Sequence, residues 1–268
     1  MSPAVHALLE FSKVQVVRGT RTVLDDFSLR IESGEHVAIL GPNGCGKSTL
    51  IKTIMRELYP VARPGSRVAI LGEQRWNVFE LRSLLGIVSN DLMAWLTTDA
   101  AGRDVVLSGF FSSNDVYPHH RVTAEQIEKA EAALGELHIA HLADRPVSQM
   151  SSGEARRVLI ARALVHRPQA LLFDEPSNSL DLLAHRALRE TMGQLARSGI
   201  GIVLATHDLS DVIPEIERVV LMSNGRIVAD GSKADTLEPH RLSQAFGLAV
   251  EVARRDGYYY FLPRTARP

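Results

Sequence analysis

The sequence predicts an α/β fold built on a parallel sheet, and three observations support this prediction. Short apolar runs of strand length recur along the chain, at residues 37–40, 170–173, 202–205 and 219–222. Stretches with helical periodicity separate these runs, which is the alternation of a parallel sheet. A glycine-rich loop also joins the first run to a helix predicted over residues 48–57. Strand, glycine-rich loop and helix in this order are typical of a phosphate-binding site.

The glycine-rich loop fits the pattern G-x-x-x-x-G-K-[ST]. Its glycines let the backbone turn N–H groups towards an anion at the positive end of the following helix. Lys47 would reach the β- and γ-phosphates, and the Ser48 hydroxyl would bind Mg²⁺. The residues predicted to surround the phosphates are Gly41, Pro42, Asn43, Gly44, Cys45, Gly46, Lys47, Ser48 and Thr49. The alternative is a chance glycine-rich loop. Cys45 itself is either a reactive thiol at a helix N-terminus or a small space-filler.

A small antiparallel β layer is predicted before this loop, because residues 8–32 alternate between apolar and polar side chains. The candidates for its inward face are Phe11, Val14, Val16, Val23, Phe27, Leu29 and Ile31. After the loop, further strands are predicted at residues 68–71 and 86–89.

Helical patterns replace strands after Asn90. A helix is predicted over residues 124–137, where Thr123 and Gln126 form a capping box. We therefore divide this single domain into a β layer plus core (about 8–90 and 168–235), a helical subdomain (about 91–167) and a C-terminal extension (about 236–268). A hairpin is predicted around Asn224-Gly225, followed by a polar, aromatic tail.

Composition restricts the class of protein. The 268 residues carry a formal net charge of -1, which gives no electrostatic argument for a nucleic-acid partner. The single cysteine rules out an intrachain disulfide and a cysteine-based zinc cluster. No apolar run reaches the length of a membrane span. We therefore expect a soluble chain without direct membrane insertion, whose membrane role, if any, comes through a partner.

Two carboxylates, Asp174 and Glu175, end one of the apolar runs. Ligands of an open α/β sheet bind at the carboxyl ends of its strands. Asp174 therefore suits Mg²⁺, and Glu175 is the candidate general base that polarises an attacking water molecule. A purely structural role is the alternative, although adjacent buried acids are costly without a cation.

Three further segments contain polar residues where a nucleotide site needs them. Ser151-Ser152-Gly153-Glu154 opens a helix predicted to run to about Val165, which makes a second anion site or an ordinary N-cap. Asp181 lies just after the paired carboxylates. His207 follows the next apolar run and is placed to reach a γ-phosphate, although a lone histidine at a strand end is more often structural.

Together these motifs resemble those of the ATP-binding-cassette (ABC) family of ATPases over residues 8–235. The resemblance implies a P-loop NTPase with a RecA-like core, an N-terminal antiparallel β layer and an inserted helical subdomain. It identifies the loop at residues 41–49 as Walker A, residues 170–175 as Walker B, residues 151–154 as the family signature, residues 179–181 as the D-loop and His207 as the switch histidine. It also implies ATP and Mg²⁺ as cofactors. Two copies would pack head to tail with ATP between them.

Several positions depart from the family pattern. Asn90 stands where a glutamine is expected and is one methylene shorter, which reduces its reach towards Mg²⁺ and the attacking water. Arg18 stands where an aromatic residue stacks on adenine, although a guanidinium plane also stacks. In the signature, Met150, Ser152 and Glu154 replace the usual residues, whereas Ser151 and Gly153 are kept.

The leading functional hypothesis is the ATPase subunit of an ABC transporter, a homodimer beneath separate membrane permease subunits at the inner face of the cell membrane. Residues 104–109 and 141–146 look similar to metal-chelate and vitamin importers, and residues 213–219 to the molybdate group. The apolar residues Leu92, Met93, Trp95 and Leu96 predict a permease-docking segment, or else packing within the helical subdomain. The alternatives are a free-standing ATP switch in DNA repair or on the ribosome, and a regulator without turnover.

Overall fold

The computed structural model describes residues 7–95, 99–113 and 115–263. They divide into two compact units: the described residues before Asn77 and after Ile200 form one, and Asn77–Ile200 form the other.

Strands dominate the first part of the first unit. Its elements are β1 (Ala7–Arg18), β2 (Arg21–Glu32), β3 (His36–Leu40), α1 (Lys47–Ile54) and β4 (Arg67–Ile70). β1 pairs antiparallel with both β2 and β4, which confirms the predicted β layer. α1 ends three residues earlier than predicted, because Arg56 takes a left-handed conformation (φ 59°) that ends a helix.

One predicted inward residue of the β layer is wrong. Val23 is only half-buried, and Leu24 takes the inward place. Asp26 has a φ of 49°, and the β1–β2 register shifts between the Val14–Phe27 and Val16–Leu24 pairs. This bulge reverses the side-chain alternation of β2, which a strict two-residue period cannot anticipate.

The second unit is mostly helical. Its elements are α2 (Val78–Leu84), β5 (Leu85–Ser89), α3 (Asn90–Trp95), α4 (Gly102–Ser108), α5 (Ala124–Glu136), α6 (Ser152–Leu164), β6 (Ala170–Asp174) and α7 (Leu182–Arg197). β5 and β6 pair in parallel. Both hydrogen bonds of the predicted Thr123–Gln126 capping box are present at the start of α5. The helical character of the region after Asn90 is thereby confirmed.

The remaining part of the first unit completes a parallel sheet and ends in a hairpin. Its elements are β7 (Gly201–Thr206), β8 (Arg218–Ser223), β9 (Arg226–Ser232), α8 (Lys233–Thr236), α9 (Pro239–Phe246), β10 (Val250–Arg255) and β11 (Tyr258–Pro263). β3 lies between β7 and β8 and is parallel to both. These strands are almost wholly buried apolar runs, as a sheet covered on both faces requires.

Two hairpins follow the parallel strands. Asn224 (φ 49°) and Gly225 (φ 76°) form the predicted turn between β8 and β9, in the left-handed conformation that favours this sequence. Asp256 (φ 51°) and Gly257 (φ 80°) form the same turn between β10 and β11. The second hairpin lies in the segment predicted only as a polar, aromatic tail, although its Asp-Gly pair is a hairpin signal.

Candidate functional site

The predicted phosphate loop lies between the carboxyl end of β3 and the N-terminus of α1. Gly44 (φ 77°) and Gly46 (φ 115°) have left-handed backbones, and Gly46 is the N-cap of α1. Only glycine adopts such conformations without strain. Left-handed glycines at the positive end of a helix are typical of anion-binding loops, and the binding of phosphate here stays a prediction.

Close packing also excludes side chains from two of these glycines. A Cβ atom on Gly41 would lie 2.3 Å from the Met222 carbonyl oxygen, and one on Gly46 would lie 2.9 Å from Leu24 Cδ2. The Met222 backbone in β8 and the Leu24 side chain in β2 therefore lie directly against the loop. Packing within the first unit thus fixes the shape of the loop.

Lys47 is held across the loop. The residue is only 5% exposed, and its ammonium group donates hydrogen bonds to the carbonyl oxygens of Gly41 at 2.7 Å and Pro42 at 3.2 Å. Ser48, the next residue of α1, is exposed. A cationic group and a hydroxyl are therefore presented at the same helix end, as a phosphate-binding loop requires.

The β8–β9 turn supports the loop from outside. Gly225 N donates to the Cys45 carbonyl oxygen at 2.9 Å, and Asp25 N donates to the Gly225 carbonyl oxygen at 3.1 Å. Cys45 is only 4% exposed, and its sulfur lies 2.8 Å from where a Gly41 Cβ would be. Burial favours the space-filling role of Cys45 over that of a reactive thiol.

His207 follows β7, at the same edge of the sheet as the phosphate loop. Leu40 and Thr206 are register partners, and Gly41 N donates to the Thr206 carbonyl oxygen at 3.3 Å. The buried Thr206 hydroxyl donates to Asp211 Oδ2 at 2.5 Å and accepts a hydrogen bond from Asp208 N at 3.0 Å. These bonds fix the backbone on both sides of His207, whose side chain is half-buried.

Arg18 is exposed at the end of β1, opposite Arg21 in the β1–β2 register. Its guanidinium group is accessible, and its stacking on adenine stays a prediction.

In the second unit, Asp174 and Glu175 lie where β6 ends, and each is only 8% exposed. Asp174 pairs in register with Ser89, so Asn90 and Glu175 both follow the carboxyl ends of adjacent parallel strands. Glu175 has a φ of 50°, a strained conformation for a residue with a side chain. Strained residues concentrate at active sites, where the surrounding structure holds them in place.

Asn90 contacts Glu175 directly. Asn90 Nδ2 donates to the Glu175 carbonyl oxygen at 3.2 Å, and Asn90 Oδ1 accepts from Arg156 Nη2 at 2.9 Å. The sequence alone predicted no role for Arg156. The available signal was its place beside Ala155, Val158 and Leu159 on the buried side of α6.

The signature segment forms an N-cap, as one of its two interpretations predicted. Ser151 Oγ accepts from Glu154 N at 3.3 Å, and the Glu154 carboxylate accepts from Ser151 N at 2.8 Å. The hydrogen bond from Ser151 N, assisted by Arg145, lowers the pKa of Glu154. A Cβ atom on Gly153 would lie 2.7 Å from Ala184 Cβ, so the starts of α6 and α7 are in close contact.

The same surface continues to the N-terminus of α7. Asp181 caps this helix by accepting from Ala184 N at 2.8 Å. Ser151 and Asp181 line one cleft of about 260 Å³. Leu182 and Leu183 beside it are 87% and 81% exposed. The signature and the D-loop thus form one surface with an apolar edge.

The described part of the chain contains no helix with the length and hydrophobicity that a bilayer crossing requires.

Comparison with known proteins agrees with this geometry. The family model for the ABC transporter matches residues 24–178. The hemin import ATP-binding protein HmuV of Bradyrhizobium diazoefficiens is 31% identical over 98% of this chain and 97% of its own. The cobalt import ATP-binding protein CbiO of Rhodobacter capsulatus is 36% identical over 91% of this chain and 87% of its own.

A solved structure is also similar to this chain. The structure of cbiO1 from Clostridium perfringens, part of the ABC transporter complex cbiONQ, aligns with a TM-score of 0.74 and 27% identity. The alignment covers 89% of this chain and 94% of that one.

The chain therefore belongs to the ABC transporter family. It is an ATP-binding subunit with ATPase activity, with the P-loop NTPase fold and the likeness to metal-chelate importers that its motifs predicted. The free-standing switch is not supported.

Proposed function

We propose that the predicted residues divide the work of ATP hydrolysis as follows. The loop at residues 41–49 binds the phosphates, with Lys47 on the β- and γ-phosphates, and Arg18 stacks on adenine. Glu175 is the general base, and His207 contacts the γ-phosphate. The observation that carries this assignment is the buried, strained Glu175 at the carboxyl end of β6. A carboxylate in this position is held ready to orient one water molecule.

The Ser48 hydroxyl and the Asp174 carboxylate are hard oxygen donors that suit Mg²⁺. When bound, Mg²⁺ neutralises charge that develops on the phosphates. Glu175 polarises the attacking water and accepts its proton. The water oxygen forms a bond to the γ-phosphorus, and the bond from that phosphorus to the β–γ bridging oxygen breaks. ADP and inorganic phosphate leave.

A second copy of the chain completes this site in our proposal. The signature residues Ser151 and Gly153, with Asp181, would face the γ-phosphate held by the partner copy. The exposed Leu182 and Leu183 support this, because two exposed leucines beside this cleft suit a surface that becomes buried. A helix N-terminus brought to the phosphate stabilises negative charge and excludes water.

The membrane partner is an integral membrane permease, which holds this chain at the inner face of the cell membrane. Hemin and cobalt are the cargoes that the names of the two relatives state, so we propose a metal-chelate importer. Leu92 and Met93 on α3 are half-buried and remain available for docking, although α3 also contacts α6. The Trp95 side chain and Leu96, predicted in the same segment, lie outside the described residues.

Glu175→Gln tests the assignment of the general base. The substitution keeps size and hydrogen-bonding capacity but removes the proton acceptor. We expect turnover to fall by about 10² or more, the usual cost of losing a general base, while ATP affinity stays unchanged. The ATP-bound dimer should accumulate and be visible by size-exclusion chromatography with light scattering.

Turnover close to that of the unmodified protein would contradict the assignment and would make His207 the next candidate for the base. Glu190→Gln is a suitable control, because Glu190 is an exposed carboxylate paired with Arg186 on α7.

A further inference from the structure

A closed ring of hydrogen bonds surrounds the backbone of Glu175. Arg156 Nη2 donates to Asn90 Oδ1 at 2.9 Å, and Asn90 Nδ2 donates to the Glu175 carbonyl oxygen at 3.2 Å. The same carbonyl oxygen accepts from Asn178 N at 3.3 Å. Arg156 Nη2 also donates to the Asn178 carbonyl oxygen at 3.4 Å, which closes the ring. The side chains of Arg156 and Asn90 and the backbones of Glu175 and Asn178 therefore hold one another.

The chemistry of the ring admits only one orientation of the Asn90 amide. A guanidinium group can only donate hydrogen bonds, and a backbone carbonyl can only accept them. Asn90 must therefore turn its oxygen to Arg156 and its nitrogen to Glu175. Both the oxygen and the nitrogen of the Asn90 amide are therefore engaged.

Arg156 is buried at a cost that its bonds only partly offset. It is 2% exposed, and neither Nε nor Nη1 has a hydrogen-bond partner within the described part of the chain. Burial lowers the pKa of Arg156 to about 10, which still leaves it charged at neutral pH. An incompletely paired buried cation is unfavourable for stability, so its position calls for a functional explanation.

We propose that Arg156 and Asn90 are positioning residues for the general base. They hold the strained Glu175 backbone, and Asn90 acts through this ring instead of binding Mg²⁺. The inference rests on the proposed role of Glu175. Asn90 is also the first residue of α3, the proposed docking segment. A permease that moves α3 would therefore act on the base through the ring.

Asn90→Asp distinguishes a role of Asn90 in positioning Glu175 from a role in binding Mg²⁺, because asparagine and aspartate have almost the same shape. The aspartate still accepts from Arg156 but cannot donate to the Glu175 carbonyl oxygen, so the ring is broken. We expect kcat to fall by about 10- to 100-fold, the cost of a misplaced catalytic group, with KM for ATP within about twofold. If Asn90 bound Mg²⁺ instead, the Asn90→Asp variant would keep its turnover and would need less free Mg²⁺ than the unmodified protein. The reason is that a carboxylate is a better Mg²⁺ ligand than an amide.

Arg156→Met should produce the same fall in kcat. The double variant Arg156→Met/Asn90→Asp should lose no more than the worse single variant, because both act through one ring. Arg162→Met is the matched control. Arg162 is a second buried arginine of α6, bonded instead to Ser108 Oγ and the Ser113 carbonyl oxygen, and burial also lowers its pKa to about 10. It should lower the melting temperature without changing kcat of the folded protein.

ATP affinity, measured by equilibrium titration, and thermal unfolding without nucleotide are recorded for every variant. Three results would overturn the inference: normal turnover in Asn90→Asp, multiplying losses in the double variant, or an equal fall in kcat for Arg162→Met. Glu175→Gln is measured in parallel. If that variant stays active, the proposed base is wrong. If it is inactive while Asn90→Asp is normal, only the positioning role fails.

Discussion

Lys47 shows how one residue prepares the phosphate site. Its ammonium group is oriented across the loop by the carbonyl oxygens of Gly41 and Pro42. A buried cation placed in this way has little conformational freedom to lose when a phosphate binds.

Lys47→Ala should therefore weaken ATP binding itself. A hydrogen bond to a charged group contributes about 1.5–3 kcal/mol, so we expect the Kd for ATP to rise by about 10- to 100-fold. Titration with a fluorescent ATP analogue measures this change. Lys52→Ala, at the other end of α1, is the control and should keep the Kd. An equal loss in both variants would show that α1, and not the Lys47 ammonium, had been damaged.

Turn glycines connect the elements of the first unit. Gly225 is the second residue of the β8–β9 turn, and its N–H holds the Cys45 carbonyl oxygen of the phosphate loop. The turn therefore links a hairpin distant in sequence to the nucleotide site.

Gly225→Ala should destabilise the protein more than Gly199→Ala does. Both glycines have positive φ, 76° and 94°, so each alanine costs about 1–2 kcal/mol of backbone strain. At Gly225 the added Cβ would also lie 2.2 Å from the Val23 carbonyl oxygen, whereas nothing lies within 4 Å at Gly199. Urea unfolding should show an additional loss for Gly225→Ala of about 1 kcal/mol or more. Equal losses of unfolding free energy in the two variants would mean that the β8–β9 hairpin moves away from Val23 without cost.

At the scale of the whole molecule, the proposed coupling to a permease depends on α3. This helix presents Leu92 and Met93 only partly buried, and its first residue belongs to the ring around Glu175.

Met93→Glu should abolish co-purification with the permease from detergent-solubilised membranes while ATP binding and folding are retained. A charge placed in the centre of an apolar contact commonly costs tenfold or more in affinity. Ile127→Glu is the control, because Ile127 is 42% exposed on α5. Binding by both variants, or unfolding of Met93→Glu alone, would exclude α3 as the contact.

The sequence by itself determined the phosphate loop and the carboxylates at the end of β6, because each is a local pattern of adjacent residues. It also determined the α/β class and the family, because these follow from the order of such patterns along the chain. The helix N-caps at Thr123 and Ser151 could also be predicted, since each capping residue and its partner are three residues apart. The bulge at Asp26 was not, because it depends on the pairing of β2 with β1. The ring of Arg156, Asn90, Glu175 and Asn178 joins residues up to 88 positions apart. Only the tertiary structure decides such contacts, because burial and the geometry of donors and acceptors arise when distant segments pack together.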